Sequence, residues 1–143
     1  MLKVILAVDH GGWELREGIK GFLAGRGIET EDVGAQVYDE LDDFPPFVDS
    51  LTKAVKKQDA IGILVCGSGI GVCMAANRVK GIRAALCHSV EYAEMSRLHN
   101  DANVLCLGGR YLEKEEVFAI IDKFLQTKFL GGKYQRRLEL IDN

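Results

Sequence analysis

The sequence predicts an α/β fold, a three-layer α/β/α sandwich around an open, five-stranded, mostly parallel sheet. Two observations predict it. Short apolar, β-rich runs alternate with longer stretches of helical period, the pattern of repeated βαβ units. Sixteen glycines against two prolines supply tight strand-to-helix turns rather than a Pro-rich linker.

Lys3 to Val8 is the first strand. Asp9 and His10 then lead through Gly11 and Gly12 into a helix whose Leu15, Ile19, Phe22 and Leu23 repeat on one buried face, and Gly25 and Gly27 stop it. Ile28 to Val33 reads as a second strand, placed at an edge by its acidic residues. A loop ends at Asp43-Phe44-Pro45-Pro46, and Phe47, Leu51, Ala54 and Val55 mark a second helix starting at or just after the prolines. Ile61 to Val65 is apolar throughout, as a central strand buried on both faces should be. After Cys66-Gly67-Ser68-Gly69-Ile70-Gly71 come a small apolar helix over about 72–78, a strand from Ala84 to Cys87, and a helix from about Val90 to Leu98. His99-Asn100, a fifth strand from Val104 to Leu107, and Gly108-Gly109-Arg110 follow. Val117, Ile120, Ile121, Phe124 and Leu125 define a long amphipathic helix, and Gly131-Gly132 introduces a basic tail, Lys133 to Arg137.

The 143 residues fit a single domain, 1–143, and a hydrophobic share of 48% with 27% charged residues is that of a packed globular protein. A net charge of -3 offers no field for a nucleic-acid backbone, so nucleic acid is not an expected partner. Cys66, Cys73, Cys87 and Cys106 form no CxxC pair and lie in or beside apolar runs, which suggests neither a zinc cluster nor a disulfide scaffold. A reducing cytoplasm is the expected compartment. Met1 to Val8 is too short for a signal-peptide core, and no run of ~18 apolar residues exists to span a bilayer, so a membrane is not expected either.

In an open parallel sheet ligands bind outside the carboxyl ends of the strands, where strand order reverses. Those ends carry Asp9-His10, Cys66 to Gly71, Cys87-His88 and Gly109-Arg110, which can converge on one cleft. Gly67, Gly69 and Gly71 let backbone N–H groups turn inward at a helix start and meet an anion, an oxyanion cradle, with a tight turn needing glycine for geometry alone as the lesser alternative. A dinucleotide fingerprint would need glycine where Val72 stands, and an NTPase phosphate loop needs a following Lys-Ser/Thr, which is absent. Cys66 stands where such a cradle would favour thiolate, ready to attack or to abstract a proton; buried structural cysteine is the alternative, and the expectation for Cys73, Cys87 and Cys106. Val72 also occupies the place of the arginine in a Cys-x5-Arg phosphatase loop, which disfavours attack on phosphorus. Asp9 can be a helix N-cap beside an exposed His10. His99 suits a last helical turn, with Asn100 left-handed after it. Arg110, Lys133, Arg136 and Arg137 are either solvated charge or a clamp on a phosphorylated ligand. Trp13, Tyr92 and Tyr134 fit packing or pocket walls equally well.

Seven motifs in order, Val8-Asp-His-Gly11, Asp43-Phe-Pro45, Cys66 to Gly71, Ala75-Ala-Asn-Arg78, Gly81-Ile-Arg-Ala-Ala85, His99-Asn-Asp-Ala-Asn103 and Gly131 to Arg137, resemble the ribose-5-phosphate isomerase B family, which includes the galactose-6-phosphate isomerase subunits. The resemblance covers essentially the whole chain. It implies a Rossmann-like fold and a metal-free, cofactor-free aldose–ketose isomerase acting on a sugar phosphate, ribose 5-phosphate first and allose or galactose 6-phosphate or a tetrose phosphate as alternatives. It makes Cys66 the base between C1 and C2, assisted by Ser68, with Gly67, Gly69, Ile70 and Gly71 holding the enediolate oxygen. His99 would open the furanose ring with Asp9 and Asn100 around the sugar oxygens, while His10, Arg110, Lys133 and Arg137 would bind phosphate. It further implies a homodimer whose site draws the His99 to Arg110 stretch and the tail, about 127–143, from the other subunit; whether two dimers associate further stays open. Lys133 stands where the family usually has Arg, Tyr134 and Phe44 replace the commoner His and Tyr, and Trp13 adds bulk where small residues are frequent. The competing reading from another class is a non-catalytic sensor of a phosphorylated metabolite, which would need neither Cys66 nor His99. A receiver-type phosphorylation switch is weaker still, since Cys66 stands where its acceptor Asp belongs.

Overall fold

The protein is described here as a computed structural model covering residues 2–142. The strands are β1 (Lys3–Val8), β2 (Glu29–Asp32), β3 (Ile61–Cys66), β4 (Ala84–Leu86) and β5 (Val104–Gly108); they lie in the order β2-β1-β3-β5-β4, every pairing parallel. The helices are α1 (Arg16–Gly25), α2 (Phe44–Gln58), α3 (Ile70–Asn77), α4 (Val90–Asn100), α5 (Lys114–Gln126) and α6 (Lys133–Asp142). This is the three-layer sandwich expected, with a wholly parallel sheet.

Side chains alternate across the sheet with the period of two that a strand imposes. Val4, Leu6 and Val8 of β1 join Ile63, Val65, Leu105 and Leu107 against α1, α4 and α5, with Phe124, Ile120 and Ile121 fully buried. Ile5, Ala7, Leu64, Cys66, Val104 and Cys106 face the other way, against α2 and α3. The acidic β2 has one strand neighbour and no fully buried residue, which is what an edge tolerates. The chain runs from β1 out to β2 by way of α1 on one face, then returns under α2 on the other face to add β3 on the opposite side of β1. A crevice therefore opens between the carboxyl ends of β1 and β3.

Five local expectations change. A 3-10 helix, His10–Leu15, precedes α1 instead of one continuous helix. Two successive glycines are poor helix formers, and here they lie against the end of β3: a Cβ on Gly11 would sit 2.3 Å from Gly67 N, and one on Gly12 2.5 Å from Val65 O. Helix α2 begins at Phe44, with the prolines inside its first turn, where their missing N–H groups cost nothing. Helix α3 starts at Ile70, two residues early, because Gly69 takes the left-handed conformation (φ 79°) that turns the chain into it. Both His99 and Asn100 belong to α4, and the left-handed residue after it is Asp101 (φ 43°). Strand β4 stops at Leu86, leaving Cys87 outside it.

Gly12→Ala should cost about 1–3 kcal/mol of stability, since the neighbour in the way is central-strand backbone that cannot yield. Urea unfolding of the variant beside the parent protein measures it. A change within a few tenths of a kcal/mol would mean that the 3-10 turn relaxes freely.

Candidate active site

Asp9, at the end of β1, is held by its backbone N–H to Val65 O at 3.2 Å, and its Oδ1 accepts the Gly11 N–H at 2.8 Å. It is thus the N-cap expected, but a buried one. Burial raises its pKa above the ordinary carboxyl value, against the lowering effects of the Gly11 and Gly12 amides and of His10. Because the fold then binds the proton more tightly than the unfolded chain does, stability falls as pH rises through the raised value. Asp9→Asn should accordingly melt higher than the parent at neutral pH and no higher below pH ~3.8, a contrast that thermal unfolding at the two pH values would read.

At the end of β3, Cys66 is buried, and Gly69 donates its backbone N–H to Cys66 Sγ at 3.0 Å. Ile70 N–H donates to Ser68 Oγ at 3.2 Å, so Ser68 is tied to the loop, with its hydroxyl hydrogen left to give. The glycine cradle is therefore partly turned on its own side chains. Gly71 N–H, in the first turn of α3, has no intrahelical acceptor and remains for an oxyanion. Phe44 covers this turn, its ring 2.7 Å from where a Gly71 Cβ would stand. Gly109 and Arg110 donate their N–H groups to Cys66 O and Gly67 O at 2.7 and 3.1 Å, and the Arg110 guanidinium lies over Gly67. Arg110 therefore belongs to the same chain as Cys66, against the expectation that the whole His99 to Arg110 stretch comes from a partner; it follows β5, the strand next to β3, so the sheet itself delivers it.

Beside this loop lies a cleft of about 590 Å³ lined by His10, Gly11, Tyr38, Arg110 and Lys114, together with Glu14 and Glu113. His88 does not join it. That residue lines a separate, smaller hollow between the heads of α4 and α5, because β4 is the far edge strand. Among the described residues, Asp9, His10 and Asp42 are the cluster with metal-ligand spacing, their donor atoms within 4.8 Å of one another. Asp42, Tyr38, Glu14, Glu113 and Lys114 are the members of this region that the sequence reading missed; only proximity in the fold singles them out.

His99, Asn100 and the tail are elsewhere. Helix α4 starts at the carboxyl end of the sheet and runs back, so after 11 residues, about 16 Å, His99 and Asn100 arrive at the amino-terminal edge. Arg83, just before β4, bonds Asn100 O and Asp101 there and also reaches Asp142 of α6. His99 stacks on Tyr134 with ring centroids 4.4 Å apart, and the Lys133 ammonium and Arg137 guanidinium lie 5.3 and 5.6 Å from the Tyr134 centroid. Tyr134 thus packs against the histidine, and the tail docks on α4 of its own chain through Leu138. Trp13 lies under the Arg16 guanidinium. Within one chain the length of β3, about 20 Å, separates His99 from Cys66.

The other thiols divide. Cys87 and Cys106 are buried, and burial pushes the Cys87 pKa up to about 11. Cys73 is half-buried on α3, where its Sγ donates to Ala84 O at 3.6 Å and the neighbouring Cys106 thiol draws its pKa down to about 7.

The profile of the ribose/galactose isomerase family matches residues 4–141. The chain belongs to that family. It is 44% identical to a ribose 5-phosphate isomerase from Thermotoga maritima, whose crystal structure superposes with a TM-score of 0.94 over 99% of this chain and 97% of that one. The crystal structure of ribose-5-phosphate isomerase B from Mycoplasma genitalium with bound ribulose-5-phosphate matches with a TM-score of 0.95 at 41% identity, covering 99% of this chain and 94% of that chain. Ribose-5-phosphate isomerase B of Escherichia coli is 38% identical over 142 residues, 99% of this chain and 95% of that protein. The family resemblance read from the seven motifs is thereby borne out, and with it the α/β class.

Proposed function

We propose that this protein is an aldose–ketose isomerase that interconverts ribose 5-phosphate and ribulose 5-phosphate by ring opening and proton transfer through an enediolate. The observation that carries the reading is Cys66 at the β1–β3 switch point, with the first turn of α3 on one side of its loop and Arg110 on the other. Cys66 takes the proton from the carbon beside the carbonyl and returns it to the neighbouring carbon. The charge that develops on oxygen meets N–H groups fixed before reaction, which lowers the barrier without reorganisation. The phosphate binds in the cation-lined cleft of His10 and Arg110, and the sugar lies between that cleft and the sulfur.

The ring-opening group is then His99 of a second copy, with Asn100, and Lys133 and Arg137 of that copy close the phosphate site. This reading requires a homodimer, because one chain holds the two halves at opposite ends of its sheet. The face beside Cys66 also suits a partner: α3 is apolar nearly all round, yet Ile70 and Met74 are 49% and 64% exposed. A monomer by light scattering under active conditions would overturn the shared site. No helix among the described residues is long and apolar enough to cross a membrane; a cytoplasmic role in pentose phosphate metabolism completes the proposal.

The test is to incubate purified protein with ribose 5-phosphate and a chelator, without nucleotide, and to follow ketose formation. Rates on allose and galactose 6-phosphates and a tetrose phosphate rank the alternatives. Saturable binding without turnover on any of them would make the protein a sensor.

A further inference from the structure

His10 is not the lone imidazole that its place after β1 suggests. Asp42, 32 residues further along in the loop before α2, sets Oδ1 2.6 Å from His10 Nδ1 and accepts the backbone N–H of His10 on the same oxygen at 3.2 Å. An oxygen already taking a main-chain N–H is committed as an acceptor, so Nδ1 carries a hydrogen and Nε2 is the nitrogen left for the cleft that the ring lines. The second oxygen, Asp42 Oδ2, is buried without a hydrogen-bond partner, so the side-chain hydrogen bonding of this carboxylate is spent on His10. The loop does not depend on this pair for its shape: Asp42 N–H bonds Asp39 O and Leu41 N–H bonds Asp39 Oδ1, each at 3.0 Å.

We infer that Asp42 is a positioning residue for the phosphate end of the cleft, locking the His10 imidazole through Nδ1 so that Nε2 presents a hydrogen to a phosphate monoester beside Arg110 and Lys114. The inference rests on the sugar-phosphate reading above. The charged groups around the ring and its cleft are Asp9 at the end of β1, Asp42, Arg110 after β5, Glu14 in the 3-10 turn, and Glu113 and Lys114 at the head of α5. Of these the Asp42 hydrogen bond dominates: with the Asp9 and Asp42 charges it keeps His10 protonated to a higher pH than an ordinary histidine, against desolvation and Arg110. A neutral ring with its hydrogen fixed on Nδ1 would turn a lone pair toward phosphate, whereas the imidazolium turns an N–H toward it. Asp42 therefore acts in opposite senses on the two sides of the ordinary histidine midpoint. Between that midpoint and the raised one, the carboxylate sustains a donor; well below, where the ring is charged regardless, it is only a negative group near an anion.

The experiment compares Asp42→Asn with the parent protein by NMR titration of the His10 ring and by calorimetric binding of inorganic phosphate at about pH 5.5 and at a pH between the two His10 midpoints that the titration gives. The ratio of the two proteins at each pH cancels the titration of phosphate itself. The His10 midpoint should fall toward 6.5 in the variant. Its phosphate affinity should drop about tenfold at the higher pH and equal or exceed the parent's at the lower one. In a His10→Asn background the same substitution should lose its pH dependence. An unmoved His10 midpoint, or a variant that binds phosphate more tightly at both pH values, would overturn the inference. Both readouts use the free protein and inorganic phosphate, so they stand or fall separately from turnover of ribose 5-phosphate.

Discussion

Replacing Cys66 with alanine should lower kcat for ribose 5-phosphate by about 10²- to 10⁴-fold, the share that a positioned acid–base group supplies. The loss should fall on kcat with KM little changed, because in the proposed site the phosphate end is held by His10 and Arg110, which follow the strands on either side of β3. The fold should survive: deleting one sulfur from a well-packed site costs about 1 kcal/mol, which thermal unfolding would report. The necessary control is Cys73→Ala. Cys73 has a pKa lowered to about 7 and is only half-buried, so it is the second thiol to test beside Cys66. The two substitutions separate a base from a thiol that is merely ionised. Turnover retained in Cys66→Ala and lost in Cys73→Ala would move the base onto α3 and dismantle the mechanism proposed here.

The contrast between these cysteines marks where the sequence is legible. Strand ends can be read from apolar runs bounded by glycine, and in an α/β sheet a strand end is also a functional address, so Asp9, His10, Cys66 and Arg110 were found by position alone. A neighbour brought in from a non-adjacent segment leaves no such trace. Cys106 reaches Cys73 from β5, and Asp42 reaches His10 from a loop whose periodicity says nothing. His88 failed for the converse reason: it follows a strand, but β4 is at the sheet edge, and only the order β3-β5-β4 reveals that. The 3-10 turn at His10–Leu15 was hidden because Leu15 and Ile19 keep helical spacing across it, while the close approach of Gly11 and Gly12 to β3 is a tertiary demand.

Cys66→Ala and His99→Ala proteins should each keep only a small fraction of ribose 5-phosphate turnover, yet a mixture allowed to exchange subunits should recover about one quarter of parental activity. The figure follows from symmetry. In a two-fold dimer each site takes its base from one chain and its ring-opening group from the other. A mixed dimer therefore has one site with both defects and one with neither, and half of the dimers in an equal mixture are mixed. One chain keeps the two groups apart, since α4 runs antiparallel to the strands and carries His99 to the edge opposite Cys66. Bending α4 back would not unite them, because Arg83 pins its end to Asp101 and to α6, and Arg97 holds Asp101 from within the helix at 3.0 Å. Recovery to one quarter would thus establish the shared site and the two-fold assembly together. If verified exchange gave no recovery, Cys66 and His99 would not complete one site across a two-fold interface, and the shared site would be overturned.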